Sequence, residues 1–292
     1  MNIVSGGAGF IGSTIVKKLN EKDIEPTIID NFDNPKISRL LKLKYKLISG
    51  DLRHNEFKVD DTIRNIFHCA ANPSINDSVN DPIGCVSDAL KIINTLCSSY
   101  PCSKMIYSSS SAVYGTAIGD ENTRSRCISP YAISKVSCEQ YLNYLYHTIG
   151  YKSMSLRYYN VYGPHQNQGF IYQYIHSAIN NKKFVLYGGN QSRDFIYVDD
   201  VANINILASE MDFNCEVINV GTSYSHSLLS VIEIINSVIG IKADIEIKEY
   251  KSIDIKDSVC NLNKFRSTFK GYQFTKFTDG IKSTFEYIKK EG

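Results

Sequence analysis

A run of glycines set between a strand and a helix constrains the fold most. Asn2-Ile3-Val4-Ser5 is short, apolar and strand-like, and Gly6-Gly7-Ala8-Gly9-Phe10-Ile11-Gly12 follows it directly, reading Gly-x-x-Gly-x-x-Gly. Helical spacing then runs over residues 11–20. Glycine lets the backbone turn tightly and lets a bulky anion come close to the main chain. The N-terminus of the following helix offers unbonded N–H groups and a partial positive charge to that anion. Strand, glycine turn and helix in this order predict a dinucleotide pyrophosphate site, with Gly6, Gly9 and Gly12 as its glycines.

The alternation continues. Short apolar runs at residues 3–5, 27–30, 46–49, 65–70, 104–108 and 153–157 are separated by helical patterns, among them residues 82–99 and 129–149. Within the last of these, Cys138, Leu142, Leu145 and Ile149 recur at helical spacing and predict one apolar face. Strands alternating with helices predict βαβ units and a parallel sheet. After Gly163 the texture changes: a loop-like stretch precedes a helix near residues 171–180, and a turn at Gly188-Gly189-Asn190 leads into mixed elements. Two lobes sharing a cleft are expected, with the boundary near residue 165.

Charge and composition exclude several classes. Lys and Arg number 32 against 30 Asp and Glu, so the net charge is +2 over 292 residues, and no basic stripe suits nucleic acid. Apolar residues make up 43% and no run approaches the ~20 residues of a membrane span. No positively charged stretch precedes the first apolar run, so no secretory leader is expected. The eight cysteines form no CxxC pair and no metal-ligand spacing, which predicts reduced thiols, a cytoplasmic setting and no metal site.

Asp30 closes the second strand, 18 residues after Gly12. A carboxylate there accepts hydrogen bonds from the adenosine ribose and repels a 2′-phosphate, favouring NAD over NADP. The bland alternative is a solvated loop cap. No Arg follows closely, Arg39 being nine residues on. Tyr131-Ala132-Ile133-Ser134-Lys135 opens a predicted helix and puts a phenol and an ammonium on one face, roughly 6 Å apart. A nearby cation favours the ionised phenol, as a base acting on a hydroxyl requires. Tyr-x-x-x-Lys alone arises by chance. Its weight comes from the serine run Tyr107-Ser108-Ser109-Ser110-Ser111, where a strand ends about 20 residues earlier and a hydroxyl could bond the same substrate oxygen.

With these motifs in hand, the chain resembles the extended short-chain dehydrogenase/reductase family, in its NAD-dependent nucleotide-sugar epimerase/dehydratase branch. Gly50-Asp51-Leu52-Arg53, His68-Cys69-Ala70-Ala71, the run from Leu156 to Pro164 and the run from Arg193 to Asp200 add to the likeness. The resemblance implies an α/β fold: a Rossmann-type doubly wound parallel sheet with a smaller mixed α/β C-terminal substrate lobe. Residues 1–165, with 196–222, would bind NAD, and 166–292 would mainly bind the nucleotide sugar. By the same likeness, Phe10 and Ile11 would pack by the pyrophosphate, Asn31 would join Asp30 at the ribose, and Asp51 with Leu52 would hold the adenine. Ala70, Ala71 and Pro73 would line the way to the nicotinamide, with Tyr159 near it. Tyr131 would be the base and acid, Lys135 would hold the nicotinamide ribose, and Ser110 would bind the sugar hydroxyl. Asn160 and Arg193 would hold the nucleotide's phosphates with a weaker grip from Lys251, Asp254 would bind the substrate, Tyr187 would lie on the base, and Ser258 would limit sugar size. His68 and His165 are expected to be structural.

The reaction is narrowed by what is missing. Dehydratases of the branch carry Asp-Glu just after the hydroxyl residue, and decarboxylases a Glu; here Ser111 and Ala112 stand in those places. Neither does acid–base work of that kind. Oxidation, rotation and re-reduction remain, which is 4-epimerisation, and a small Ser258 points to a UDP-hexose or a UDP-N-acetylhexosamine. A nucleotide-4-keto-sugar reductase is the alternative, and a catalytically silent dinucleotide sensor a more distant one. Departures from the family pattern are Asp88 and Lys91-Ile92, Lys251, and Gly189. A homodimer through the helices at 82–99 and 129–149 is also implied.

Overall fold

The computed structural model describes residues 1–33, 37–54, 57, 62–116, 119–249 and 256–291. The chain separates into two compact units: Met1–Gly115, Glu121–Tyr158 and Val201–Asn219 form the first, and Thr116–Asp120, Tyr159–Asp200 and Val220–Gly292 the second. The first opens with β1 (Asn2–Ser5), α1 (Phe10–Asn20), β2 (Thr27–Asp30), β3 (Lys46–Ser49), β4 (Asn65–His68) and α2 (Ile75–Asn80). It continues through α3 (Pro82–Ser99), β5 (Lys104–Ser110), α4 (Pro130–Ile149) and β6 (Ser153–Tyr158). Next come β7 (Asn160–Tyr162), α5 (Phe170–Ile179), β8 (Lys183–Tyr187) and β9 (Ser192–Tyr197) of the second unit. Most of α6 (Val198–Glu210) and β10 (Cys215–Val220) return to the first. The second is completed by β11 (Ser225–Ser227), α7 (Leu228–Ile239), β12 (Asp244–Lys248), α8 (Asn263–Thr268) and α9 (Phe277–Glu291).

The first unit is a Rossmann-type, doubly wound sheet of seven strands in the order β3-β2-β1-β4-β5-β6-β10, with β1 to β6 paired in parallel. The chain winds outward from β1 to β3, then crosses to β4 on the other side of β1. That reversal makes a switch point at the carboxyl ends of β1 and β4, where open α/β sheets place their ligands. Ile3, Ile29, Ile66 and Met105 pack with Ile93 and Leu96 of α3 and Cys138, Leu142 and Leu145 of α4. Ile149 departs from the expected apolar face: it is 65% exposed. The helix ends there, with Gly150 taking up φ +73° as a left-handed cap, so the last turn passes beyond the core.

Strand limits shift where pairing dictates. β4 stops at His68 rather than residue 70, because Cys69 N–H bonds the Ser5 carbonyl and the chain of β1 then turns into the glycine loop. β5 runs on to Ser110 because β6 reaches Tyr158 beside it, Ser109 facing Arg157 and Ser110 facing Tyr158. Both long helices carry the caps their sequences encode. Asp81 accepts from Gly84 N–H and Ser129 from Ala132 N–H, each followed by proline in the first turn.

The second unit holds a three-stranded sheet, β11-β9-β7, and a parallel pair, β12-β8. Its core joins Tyr174 and Ile175 of α5, Phe184 and Leu186 of β8, Val231, Ile232 and Ile235 of α7, and Ile281 and Ile288 of α9. Among the described residues no helix is long and apolar enough to cross a membrane.

Candidate active site

The glycine turn needs its glycines for want of space. Gly6 has φ +69°, and a Cβ on it would lie 2.7 Å from the backbone nitrogen of Ala70, so β1 and β4 close on each other here. A Cβ on Gly12 would lie 2.2 Å from the Gly6 carbonyl oxygen. Gly6 N–H bonds the Ile29 carbonyl at 2.8 Å and Gly9 N–H the Gly6 carbonyl at 3.0 Å, which fixes the loop. Gly9 caps α1 without a side-chain hydrogen bond, and α1 has no acidic residue in its first turn. The first-turn amides of Phe10, Ile11 and Gly12 have no acceptor within the helix, as in any helix. This cradle, free of side chains and lined by N–H donors, fits the pyrophosphate of NAD.

Asp30 caps the loops on either side of it. Its Oδ2 accepts Ala8 N–H at 2.9 Å and its Oδ1 accepts Phe32 N–H at 2.9 Å, so it braces two loops beside the cradle. Each oxygen keeps a lone pair for a ribose hydroxyl. Arg39, buried, donates from Nη1 to the Ala8 carbonyl at 3.2 Å. Thirty-one residues of separation hid this contact, which the short turn of residues 37–40 brings about.

Just after β2, Asn31 donates to Asp33 at 2.8 Å and to Asp51, which lies beyond β3, at 3.4 Å. Arg53 grips both oxygens of Asp51 through Nε, at 3.0 and 2.9 Å, with Nη2 also bonded there. Its hydrogen bond holds the Asp51 carboxyl well below the usual carboxylate range. Arg53 Nη1 also donates to Asp88 at 3.1 Å, and Lys91 lies 3.5 Å from Asp88. The two departures in α3 are therefore members of one charge cluster centred on Arg53. Leu52 is buried beside it, Ala70 is half-buried, and Ala71 and Pro73 are exposed just after β4.

Tyr131 stands in the first turn of α4 and Lys135 one turn on, its Nζ 5.6 Å from the centre of the Tyr131 ring. Lys135 is buried and donates to the Ser108 carbonyl at 2.8 Å, tying α4 to the end of β5. Ser110 ends that strand, its Oγ accepting Ala112 N–H at 3.2 Å. His68 is structural: it lies against Tyr107 and bonds Ser5 Oγ through Nδ1 at 2.8 Å. Burial, with the Lys135 charge second, pushes its imidazole down to about 3.

The sequence motifs gave no role to Glu139, nor to Arg157 within the run from Leu156 to Pro164. Both are buried, and Arg157 Nη2 meets Glu139 Oε2 at 2.7 Å. A glutamate on a helix reads as solvated surface unless its partner strand is known to lie over it.

The remaining candidates belong to the second unit. Tyr159 is buried and its N–H bonds the Val220 carbonyl at 3.0 Å. Asn160 Nδ2 donates to the Asp194 carbonyl at 2.8 Å, and Arg193 Nη1 to the Ser192 carbonyl at 2.8 Å. Ser258 N–H also bonds Ser192, at 3.1 Å, so Arg193 and Ser258 converge on one residue. Fully buried Asp194 collects Thr222 N–H, Ser223 N–H and Cys260 N–H and the Thr222 hydroxyl, and so anchors these loops. Tyr187 is 41% exposed at the end of β8, so it is not core. His165 lies against Tyr287. Lys251 and Asp254 lie outside the described residues. Among the described residues no group of His, Cys, Asp and Glu is arranged to hold a metal.

Similarity to known proteins covers the whole chain. It is 33% identical to a UDP-N-acetylglucosamine 4-epimerase of Methanobrevibacter ruminantium, solved in complex with UDP-N-acetylmuramic acid, with a TM-score of 0.91 over 100% of this chain and 98% of that one. The Thermus thermophilus UDP-glucose 4-epimerase, solved with NAD, superposes with a TM-score of 0.88 at 28% identity, over 99% of each chain. The Mycoplasma genitalium UDP-glucose 4-epimerase is 29% identical over 91% of this chain and 89% of its own. Residues 2–221 match the NAD dependent epimerase/dehydratase family, and the chain belongs to that family.

Proposed function

We propose that this protein is an NAD-dependent nucleotide-sugar 4-epimerase acting on a UDP-hexose or UDP-N-acetylhexosamine. The observation that carries the reading is the stack of Tyr131 and Lys135 on α4 above the serine end of β5, in the sheet that also carries the glycine turn. Solved relatives with the same fold are 4-epimerases of UDP-sugars.

Gly6, Gly9 and Gly12 leave room for the cofactor's pyrophosphate, the amides of Phe10, Ile11 and Gly12 bind it, and Asp30 with Asn31 takes the ribose hydroxyls. Asp51 and Leu52 border the adenine, and Ala70, Ala71, Pro73 and Tyr159 border the nicotinamide. When bound, NAD would supply the hydride acceptor and donor for the sugar carbon, with no net redox change. Tyr131 takes the proton of the sugar 4-hydroxyl through its phenolic oxygen and later gives it back. Lys135, one turn below the ring, holds its ammonium 5.6 Å from the ring centre. Ser110 donates to the same sugar oxygen and orients it. Ser111 and Ala112 offer no second acid or base, so the 4-keto sugar keeps its remaining hydroxyls and is simply reduced again.

Asn160 and Arg193, together with Lys251, are assigned to the nucleotide's phosphates, Asp254 to the substrate, and exposed Tyr187 to the base. Binding energy from that half holds the molecule while the sugar turns. Ser258 is small enough to admit an N-acetyl group, in keeping with the N-acetylhexosamine activity of the Methanobrevibacter relative. Exposed Ile133 and Tyr144 on α4 support a homodimer built on α3 and α4. Eight cysteines, none in a disulfide, support a reducing, cytoplasmic setting, and the substrate class supports a place in polysaccharide biosynthesis.

The deciding experiment incubates pure protein with a panel of UDP-sugars and follows the products by NMR without added reductant. Interconversion of a C4 epimer pair is expected. Steady consumption of NADH with keto sugars, and no epimer, would assign the protein to the reductases instead.

A further inference from the structure

Three successive turns of α4 present Tyr131, Lys135 and Glu139 at i, i+4 and i+8, on one face of the helix. Each of the last two takes hold of a different residue of β5. Lys135 Nζ donates to the Ser108 carbonyl at 2.8 Å, and Glu139 Oε1 accepts the Ser109 hydroxyl at 2.6 Å. Ser110, the residue assigned to the sugar hydroxyl, comes next.

Glu139 is in turn held by Arg157, whose Nε meets Oε1 at 2.9 Å and whose Nη2 meets Oε2 at 2.7 Å. Ser109 and Arg157 are register partners in β5 and β6, so their side chains leave the same face of the sheet. Arg157 Nη1 donates to Tyr114 Oη at 2.8 Å, and Tyr114 donates to Asn219 Oδ1 at 2.8 Å. Asn219 N–H donates to Glu121 Oε1 at 2.7 Å. The network thus joins α4, β5, β6 and β10 with the segment that precedes Tyr131. Glu139 is 4% exposed and Arg157 5%.

Stability alone is a poor reason for such a pair. Desolvating two charges offsets most of their attraction, and a well-packed apolar pair of similar volume often does as well or better. Geometry is what the charges add: a bidentate fork fixes distance and angle together, which apolar contact does not.

We propose that Glu139, locked by Arg157, is a positioning residue that sets Ser110 against Tyr131 and Lys135 by holding the hydroxyl of Ser109. This rests on the functional reading above. It acts through Ser109 and touches no substrate.

The test uses two variants of the full chain, Ser109→Ala and the apolar replacement Glu139→Leu/Arg157→Met. Ser109→Ala removes one hydroxyl and leaves the ion pair intact. Its kcat is expected to fall about 30-fold, the worth of one hydrogen bond to a charged group. The double variant should keep a melting temperature close to the parent's, yet lose about 100-fold in kcat, as misplacement by about 1 Å does. In both, KM for the UDP-sugar should stay within about 3-fold, since the nucleotide half still binds. Amide hydrogen exchange of residues 108–112 should quicken in Ser109→Ala while that of β1 and β4 does not. Folded variants that keep kcat within about 2-fold of the parent, or that lose only KM, overturn the proposal. If the parent turns over no UDP-sugar, the functional reading fails. The exchange measurement then still decides, because unchanged protection at 108–112 refutes the positioning role by itself.

Discussion

Asp30 and Arg39 hold the two ends of one residue: the carboxylate accepts the N–H of Ala8 at 2.9 Å, and the guanidinium donates to its carbonyl at 3.2 Å. The middle of the glycine turn is therefore tied to the end of β2 and to the short turn after it. Replacing Asp30 by Ala removes the brace on Ala8 together with the ribose acceptor. A hydrogen bond to a charged group contributes about 2 kcal/mol, so NAD affinity should fall about 30-fold. Calorimetric titration of the purified variant with NAD measures it, and an unchanged Kd would remove Asp30 from the cofactor site.

Gly12 tests the cradle by crowding. The Cβ of Gly12→Ala would sit 2.2 Å from the Gly6 carbonyl oxygen, a main-chain atom with little freedom to yield. The loop must open, at a cost of about 1–3 kcal/mol. NAD carried through purification, read from the nucleotide absorbance of denatured protein, should drop to near zero while the fold persists.

Tyr131→Phe should separate binding from chemistry. The ring stays, so NAD binding should remain within about 3-fold of the parent. Without the hydroxyl no proton can be taken from the sugar, and turnover should fall about 1000-fold. Retained turnover would displace Tyr131 as the base.

His68 makes stability depend on pH. Buried against Tyr107, its imidazole titrates at about 3, against 6.5 in an open chain. Between those values the unfolded chain carries a proton that the folded one refuses. The stabilisation is therefore complete above pH 6.5 and is lost as pH falls toward 3. At pH 5 the loss is about 2 kcal/mol. Urea unfolding at pH 7.5 and pH 5 should show the difference, and His68→Asn should reduce it by about that amount.

The motifs that follow from backbone geometry were legible in the sequence. A glycine turn between a strand and a helix, and a phenol one helical turn from an ammonium, keep their meaning wherever the rest of the chain goes. The six early strands lie where the apolar runs do, and all but the largely exposed edge strand β3 are mostly buried, as in a parallel sheet covered on both faces. What could not be read depends on distant pairing. Glu139 and Arg157 are 18 positions apart and reveal themselves only when β6 lies beside β5 under α4. The links from Arg39 to Ala8 and from Arg53 to Asp88 have the same character: long basic side chains reach across loops whose path no local pattern encodes. Ile149 illustrates the converse, since its spacing matched the buried face but the helix outran its partner.

The order of strands has a consequence for synthesis. β6 is buried along its whole length, and its outer neighbour β10 begins at Cys215, after the chain has gone off to build β7, α5, β8 and β9. On the ribosome, the sheet therefore waits some sixty residues with one hydrogen-bonding edge open, the kind of edge that recruits other chains. Fragments ending between residues 160 and 214 should therefore aggregate more readily than the full chain.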